Sequence, residues 1–378
     1  MQVYLDNSAT TRPFDEVTDI VVKYMKEEYG NPSSLHHMGL EAEKAMKTAR
    51  RQVADAVGVS PEGVYFTSGG TEADNIAIMG IARARARRGK RIITTKIEHP
   101  AVLNSFKALE EEGFEAVYVG VDREGRVDMN QMKEAINEKT ILISCMHVNN
   151  ESGTIEPIEE IAKIKGDAML HVDAVQSFGK LEIPTVGVDV ISVSGHKIHG
   201  PMGTGAVCFT DKVNIKPLLF GGGQEKDIRP GTENLPAIAG LGLACEMISS
   251  NLKEAGEEMA KIRDALAKGL EENIDDIVIN SPEGACQSVL NVSFMGTRGE
   301  VILHSLEQDG IYVSTGSACS SNHVGGSHVL RAMGLNDREV EGAIRFSFGR
   351  FNNLDEVDYV VEKTKQAVDR FRSLGSFR

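Results

Sequence analysis

The sequence predicts an α/β fold: a large domain with a mostly parallel sheet flanked by helices, joined to a smaller α+β domain. Three observations carry this expectation. From residue 64 to about 207, short apolar runs rich in Val, Ile and Thr alternate with helical runs. Phe220-Gly-Gly-Gly-Gln224 and Arg229-Pro-Gly231 then break the pattern with turn-forming residues. Beyond them come a long helical run, a few strands and a terminal helix. The expected division gives residues 14–232 to the large domain, and 1–13 with 233–378 to the small one.

Taken in order, Val3-Tyr-Leu5 is a short extended piece followed by the turn-like Asp6-Asn-Ser-Ala-Thr-Thr11. Residues 14–28 place Val17, Ile20, Val21, Tyr24 and Met25 on one helical face. Gly30-Asn-Pro-Ser-Ser34 ends that helix, and a second, over 39–57, buries Met46, Ala49, Val53 and Val57. Strands are expected at 64–67, 91–95, 116–119, 140–146, 168–172, 188–193 and 205–209, with helices at 71–88, 100–112, 129–138 and 157–165 between most of them. Parallel sheets of this kind bind ligands beyond the carboxyl ends of their strands. In the second half, one helix is expected from Pro236 to Glu272, bent at Gly256. Strands at 277–279, 288–294 and 312–314 and helices at 299–308 and 355–371 complete the small domain.

The chain has 378 residues and a formal charge of −14, which argues against nucleic acid or an anionic membrane as partner. The basic stretch over 81–91 reads as a solvated helix C-terminus, where cations complement the helix dipole. No apolar run is long enough to span a bilayer. The opening residues lack a basic segment followed by an apolar one, so no signal peptide is expected. The five cysteines are scattered without a Cys-x-x-Cys pair, as suits reduced thiols in a cytoplasm.

The chemistry gathers at strand ends. Ser194-Gly-His196-Lys197 follows a core strand and precedes a Gly- and Pro-rich loop. A lysine there is desolvated toward the neutral amine, which can form a Schiff base with an aldehyde. Ser194 and His196 can hydrogen-bond an anion. An aldehyde with a phosphate suggests pyridoxal phosphate, although an isolated motif of this kind is also read as an ordinary strand-end lysine. Ser68-Gly-Gly70-Thr71-Glu-Ala73 joins a strand to a helix and suits a phosphate at a helix N-terminus, or a cap in which Thr71 pairs with Asp74. Asp173 in His171-Val-Asp-Ala-Val-Gln176 can hold a pyridinium nitrogen or cap a turn. His99 can stack on a ring, move protons or sit satisfied in the core. Asn149-Asn-Glu151 offers amides to a cofactor hydroxyl or a substrate carboxylate, or makes a turn. Arg345 lies in an apolar run and wants a carboxylate, from substrate or from the chain. Cys319 sits among small residues, where a loop can carry a thiol nucleophile; with His323 and His328 it could alternatively ligate a metal, though three ligands at that spacing match no standard zinc module.

Assembled in order, these motifs resemble the cysteine desulfurases of the NifS/IscS type, among the class V, fold-type I pyridoxal phosphate enzymes. The resemblance covers nearly the whole chain and includes Gly-Gly-Gly-Gln-Glu and Gly-Ser-Ala-Cys. It implies a homodimer converting L-cysteine to L-alanine, with sulfur received by Cys319 as a persulfide and passed to an iron–sulfur scaffold or another sulfur acceptor. It implies that Lys197 carries the cofactor, Asp173 pairs with its ring nitrogen, Gln176 meets its ring hydroxyl, and His99 stacks on the ring. Gly70, Thr71, Ser194 and His196 would hold the phosphate, with Thr232 reaching it from the other subunit; Asn149 and Arg345 would hold the substrate carboxylate. No resident metal is implied, although a cluster could contact Cys319. Asn322-His-Val-Gly-Gly326 departs from the residues usual after that cysteine. A class V aminotransferase or a selenocysteine lyase would share Lys197, Asp173 and His99, and a sulfur carrier or metal-binding protein would use the cysteine segment without catalysis.

Overall fold

The computed structural model describes residues 1–211, 213–315 and 326–375. In chain order its first half comprises β1 (Val3–Tyr4), α1 (Asp15–Lys26), α2 (His37–Val57), β2 (Val64–Thr67), α3 (Gly70–Arg85), β3 (Arg91–Thr95), α4 (Pro100–Glu111), β4 (Glu115–Val119), α5 (Met129–Ala135), β5 (Thr140–Met146), α6 (Ile158–Ile164), β6 (Met169–Asp173), β7 (Val190–Ser194) and β8 (Gly205–Phe209). Seven of these strands form one sheet in the order β2-β8-β7-β6-β5-β3-β4. The pairs from β7 to β4 are parallel, and β8 runs antiparallel to both of its neighbours. The expectation of a mostly parallel sheet is met.

Strand period two sorts the apolar side chains onto two covered faces. Ile93, Ile143, Leu170, Ile191 and Cys208 pack with α1, α2 and the helix Leu235–Ser249. Their alternates Ile92, Leu142, Val190 and Val207 pack under α3 and α4. With both faces buried, the strands read as continuous apolar runs, which is why the sequence shows them so plainly.

The second half adds α7 (Leu235–Ser249), α8 (Leu252–Asn273), β9 (Ile277–Ile279), β10 (Val289–Phe294), α9 (Gly299–Gln308), β11 (Ile311–Tyr312), α10 (His328–Ala332), α11 (Asp337–Glu341), β12 (Ala343–Ser347) and α12 (Val357–Ser373). Strands β9, β10 and β12 form an antiparallel sheet whose core is closed by α8, α9 and α12, together with Val3 and Leu5 from the N-terminus. The single helix expected from Pro236 to Glu272 is instead two, bent by 76°. The break falls at Ser250 and Asn251, and Gly256 lies inside α8. Ser and Asn favour local side-chain hydrogen bonds over helix continuation, and Asn251 leaves helical geometry at φ −146°. The two helices also bury different things: α7 is apolar on nearly every side and packs on α1 and α2, whereas α8 has one stripe of Met259, Ile262, Leu266 and Leu270. No single helix among the described residues is long and apolar enough to cross a membrane.

Candidate active site

The carboxyl ends of the parallel strands open onto a cavity of about 590 Å³. Its walls include Ser8, Gly70, Thr71, Asp74, His99, Asn150, Asp173, Gln176, Ser194, His196, Lys197 and Arg345. Residues scattered over nearly the whole sequence meet there because most follow a strand end or lie in the first turns of a helix at the same edge of the large sheet, while Ser8 follows β1 and Arg345 lies within β12 of the three-stranded sheet.

Two glycines bring backbone close to this edge. A Cβ on Gly205 of β8 would meet Val193 O at 2.5 Å and Gly69 Cα at 2.9 Å, so the loop entering α3 lies directly on the sheet. A Cβ on Gly70 would meet Val175 Cγ2 at 2.6 Å. The first turn of α3 thus points its free N–H groups past the end of β6. The alternative reading, a cap in which Thr71 pairs with Asp74, is not what forms. Gly69 is the cap residue, Glu72 accepts from Ser68 N and pairs with Arg229, and Asp74 turns inward.

Lys197 lies in a short 3-10 turn after β7 and donates to the carbonyls of Ser8 and of Ala9, the latter at 2.7 Å. Gln176 Nε2 donates to the same Ser8 carbonyl at 3.0 Å, and its Oε1 accepts from buried Lys180 at 3.1 Å. His99 caps α4 through Nδ1, which accepts from Ala101 N at 3.1 Å, so its proton sits on Nε2. Burial, then the Lys197 charge, lowers His99 to about 4; burial likewise brings His196 to about 4. Both rings are neutral near pH 7. Asp173 accepts from Val175 N at 2.9 Å, and burial raises it to about 6 against the opposing pull of that hydrogen bond and of Lys197.

Of the two partners the sequence leaves open for Arg345, the chain itself supplies a carboxylate, that of Asp6. Arg345 is held by Asp6 Oδ1 at 2.8 Å and Asn150 O at 2.9 Å, yet it lines the cavity, and its buried Nε has no partner among the described residues.

Not every expected residue joins. Asn149 is fully buried and does not line the cavity, although its neighbours Val148 and Asn150 do. Its Nδ2 donates to Ile97 O, and its Oδ1 accepts from Glu151 N and Ser152 N, so its amide fixes the turn and Asn150 takes the lining position. Thr232 lies in a separate pocket of about 260 Å³ with Ser68, Glu225 and Arg229. Cys319 and His323 lie outside the described residues; His328 opens α10 and meets Glu98 O at 3.0 Å. The other four cysteines are buried free thiols. Sequence reasoning missed Ser8, Asn150 and an inward role for Asp74. The last had a signal: positions 74, 77, 78 and 81 share one face of α3, and the other three are apolar.

The residues present fit pyridoxal phosphate. Ser8 Oγ and Ser194 Oγ are buried without hydrogen-bond partners among the described residues, as expected of donors meant for a ligand. A helix N-terminus with Gly70 and Thr71 suits a phosphate, Asp173 a ring nitrogen, and Lys197 an aldehyde. The volume is that of a small-molecule site.

Residues 3–360 match the family described as Aminotransferase class-V. The chain is 41% identical over 382 residues to Cysteine desulfurase IscS of Dictyoglomus turgidum, covering 100% of this chain and 97% of the relative. It is 43% identical over 376 residues to Cysteine desulfurase IscS of Methanosarcina thermophila, covering 98% and 93%. Among solved structures, a NifS-like protein superposes with a TM-score of 0.92 at 40% identity, covering 98% of this chain and 100% of that one. A structure titled SspA in complex with cysteine superposes with a TM-score of 0.83 at 34% identity, covering 93% and 100%. The chain belongs to the class-V aminotransferase family.

Proposed function

We propose that this enzyme is a pyridoxal phosphate-dependent cysteine desulfurase: L-cysteine and the Cys319 thiol give L-alanine and a Cys319 persulfide. One observation carries the reading: a single cavity joins Lys197, Asp173 and His99 to the carboxylate-binding Arg345, in a chain whose curated relatives bear that name. When bound, pyridoxal phosphate supplies an aldehyde for an amine and a ring that withdraws electrons from the amino acid's Cα. The chain supplies the rest. Gly70, Thr71, Ser194 and His196 would hold the phosphate, and Gln176 would meet the ring hydroxyl. Asp173, as an anion, would pair with the ring nitrogen. His99 forms a neutral wall with its proton on Nε2. Arg345 keeps one face on Asp6 and turns Nε to the substrate carboxylate. Lys197 Nζ moves the Cα proton. In the sulfur step Cys319, as thiolate, bonds to the substrate sulfur. The carbon–sulfur bond breaks, its electron pair passes to the substrate's Cβ, and that carbon is protonated to the methyl of alanine.

A homodimer suits the exposed apolar side chains Tyr29, Leu35, Met202 and Phe220, and it gives Thr232, set in a pocket of its own, a phosphate to reach in the partner. The persulfide is then handed to an iron–sulfur scaffold or another sulfur acceptor. Buried free thiols at Cys145, Cys208, Cys245 and Cys286 accord with a cytoplasmic setting.

The test is an absorption spectrum of the purified protein, then L-cysteine addition with alanine and sulfide measured together. Cys319→Ser is expected to keep the visible cofactor band and lose cysteine-dependent sulfide. Full activity in that variant would remove Cys319 from the reaction. A keto acid with pyridoxamine phosphate would make the enzyme an aminotransferase.

A further inference from the structure

The layer between α3 and the sheet is apolar except along one row. Ile76, Ala77 and Ile81 of α3 pack on Leu142, Val190 and Val207. Two residues beyond Leu142 and Val190, the same face carries Ser144 and Ser192, and β6 sets His171 and Asp173 between them. Ser144 Oγ lies 2.8 Å from His171 Nδ1, and His171 Nε2 lies 2.9 Å from Ser192 Oγ. Asp74 reaches into this row from α3. It is 1% exposed, its Oδ1 is 3.6 Å from His171 Nε2, and that oxygen has no hydrogen-bond partner among the described residues. The row is hydrogen-bonded within itself, so the buried polar atom that costs stability is the unpartnered Asp74 oxygen. None of the cofactor or substrate contacts assigned above uses Asp74, Ser144, His171 or Ser192.

The charges around Asp74 decide what it does. From β6 it faces Asp173 and His171, from β7 Ser192, and from the β3–α4 connection Glu98. Burial holds His171 near 3, so the ring is neutral and supplies no cation. Two carboxyls in one buried site do not both ionise. Burial first, then the Asp173 charge, pushes Asp74 well above the carboxylate range. Asp173 has the Val175 N–H and Lys197 on the side of its anion; Asp74 has the Ser192 hydroxyl alone.

We propose that Asp74 is a positioning residue acting through Asp173: it carries the proton of the pair, stays an uncharged acid anchored on the Ser144–His171–Ser192 row, and leaves Asp173 as the anion at the cavity wall. This rests on the reading of the cavity as a pyridoxal phosphate site. Asp74 also lines the cavity, as Asp173 does, so a smaller residue there would enlarge it.

The test compares the parent with Asp74→Asn and Asp74→Ala. Three quantities are read: the dissociation constant of pyridoxal phosphate from the apoprotein, the pH midpoint of the bound cofactor's visible band, and apoprotein melting from pH 4.5 to 8. Asn mimics a neutral acid, so Asp74→Asn is expected to bind within about threefold of the parent with its midpoint unmoved. Because a raised carboxyl gives stability that is lost as pH rises, the Asn apoprotein should gain on the parent toward pH 8. Asp74→Ala is expected to bind at least about tenfold more weakly and to move the midpoint. Should Ala not fold, Asp74→Thr takes its place. A tenfold or midpoint change in the Asn variant would mean that Asp74 is charged. An Ala variant that binds and titrates like the parent would mean that it only packs. A parent that takes up no pyridoxal phosphate overturns the reading of the cavity instead.

Discussion

His99 does two jobs with one ring. Nδ1 accepts from Ala101 N and caps α4, which leaves Nε2–H for the cavity. The jobs can be separated. Asn is a good N-cap but has no ring, whereas Ala is neither. His99→Asn is expected to melt close to the parent, and His99→Ala to lose about 1 kcal/mol of stability. Both should lose cysteine-dependent alanine formation. Turnover retained in the Asn variant would show that the ring is dispensable. Because burial lowers His99 to about 4, its charge does not change between pH 6 and 8, and a pH limb there belongs to another group. Arg345 likewise serves two partners, with Asp6 holding it in place from a chain segment more than three hundred residues away.

At the scale of elements, the site depends on how closely α3 approaches the turn after β6. A methyl on Gly70 would collide with Val175 Cγ2, and Val175 cannot retreat freely because its N–H is held by Asp173 Oδ1. Gly70→Ala should therefore disturb the phosphate and ring-nitrogen ends of the cavity together. Pyridoxal phosphate binding to the apoprotein is expected to weaken at least about tenfold. Adding Val175→Ala, which removes the colliding methyl, should restore most of it. Equilibrium dialysis of the single and double variants checks this, and a double variant no better than the single one would place the damage elsewhere. Strands β2 to β8, α3, α4 and the gathering of Asp173, Lys197 and Ser194 were legible because period-two burial and strand-end polarity leave marks in the sequence. The break between α7 and α8 was not, because both halves are helical and what changes is the partner each one packs against. The two readings of Asn149 could not be separated for a similar reason: an amide that fixes a turn and one that binds a ligand look alike until their partners are seen. Asp74 enters the sequence reading only as the partner in an alternative Thr71 cap, although its spacing from Ala77, Ile78 and Ile81 puts it on the buried face.

Across the whole molecule, burial shifts two sets of groups in opposite directions. It holds His171 at about 3 and His99, His147, His196 and His199 at about 4. It raises Glu156 to about 8 and Asp173 to about 6, and it pushes Asp74, Glu98 and Glu151 upward. The lowered histidines give stability present above their ordinary pKa of about 6.5 and lost as pH falls through 4. The raised carboxyls give stability present below about 4 and lost as pH rises through their folded values. From about pH 4.5 to 6.5 the unfolded chain gains protons on histidines while the native chain keeps them on carboxyls, so the two slopes oppose each other. Above about 6.5 the histidines are neutral in both states and the carboxyls remain. Melting of the cofactor-free protein is therefore expected to change little from about pH 4.5 to 6.5 and to fall toward pH 8. Glu156 offers one contributor that does not line the cavity: its Oε2 accepts from Val127 N at 2.9 Å, and its Oε1 is buried without a partner among the described residues. Glu156→Gln keeps an acceptor for Val127 and cannot ionise, so it should melt higher than the parent at pH 8 and gain less at pH 5. An equal effect at both pH values would show that Glu156 is not the group whose proton is lost on the alkaline side.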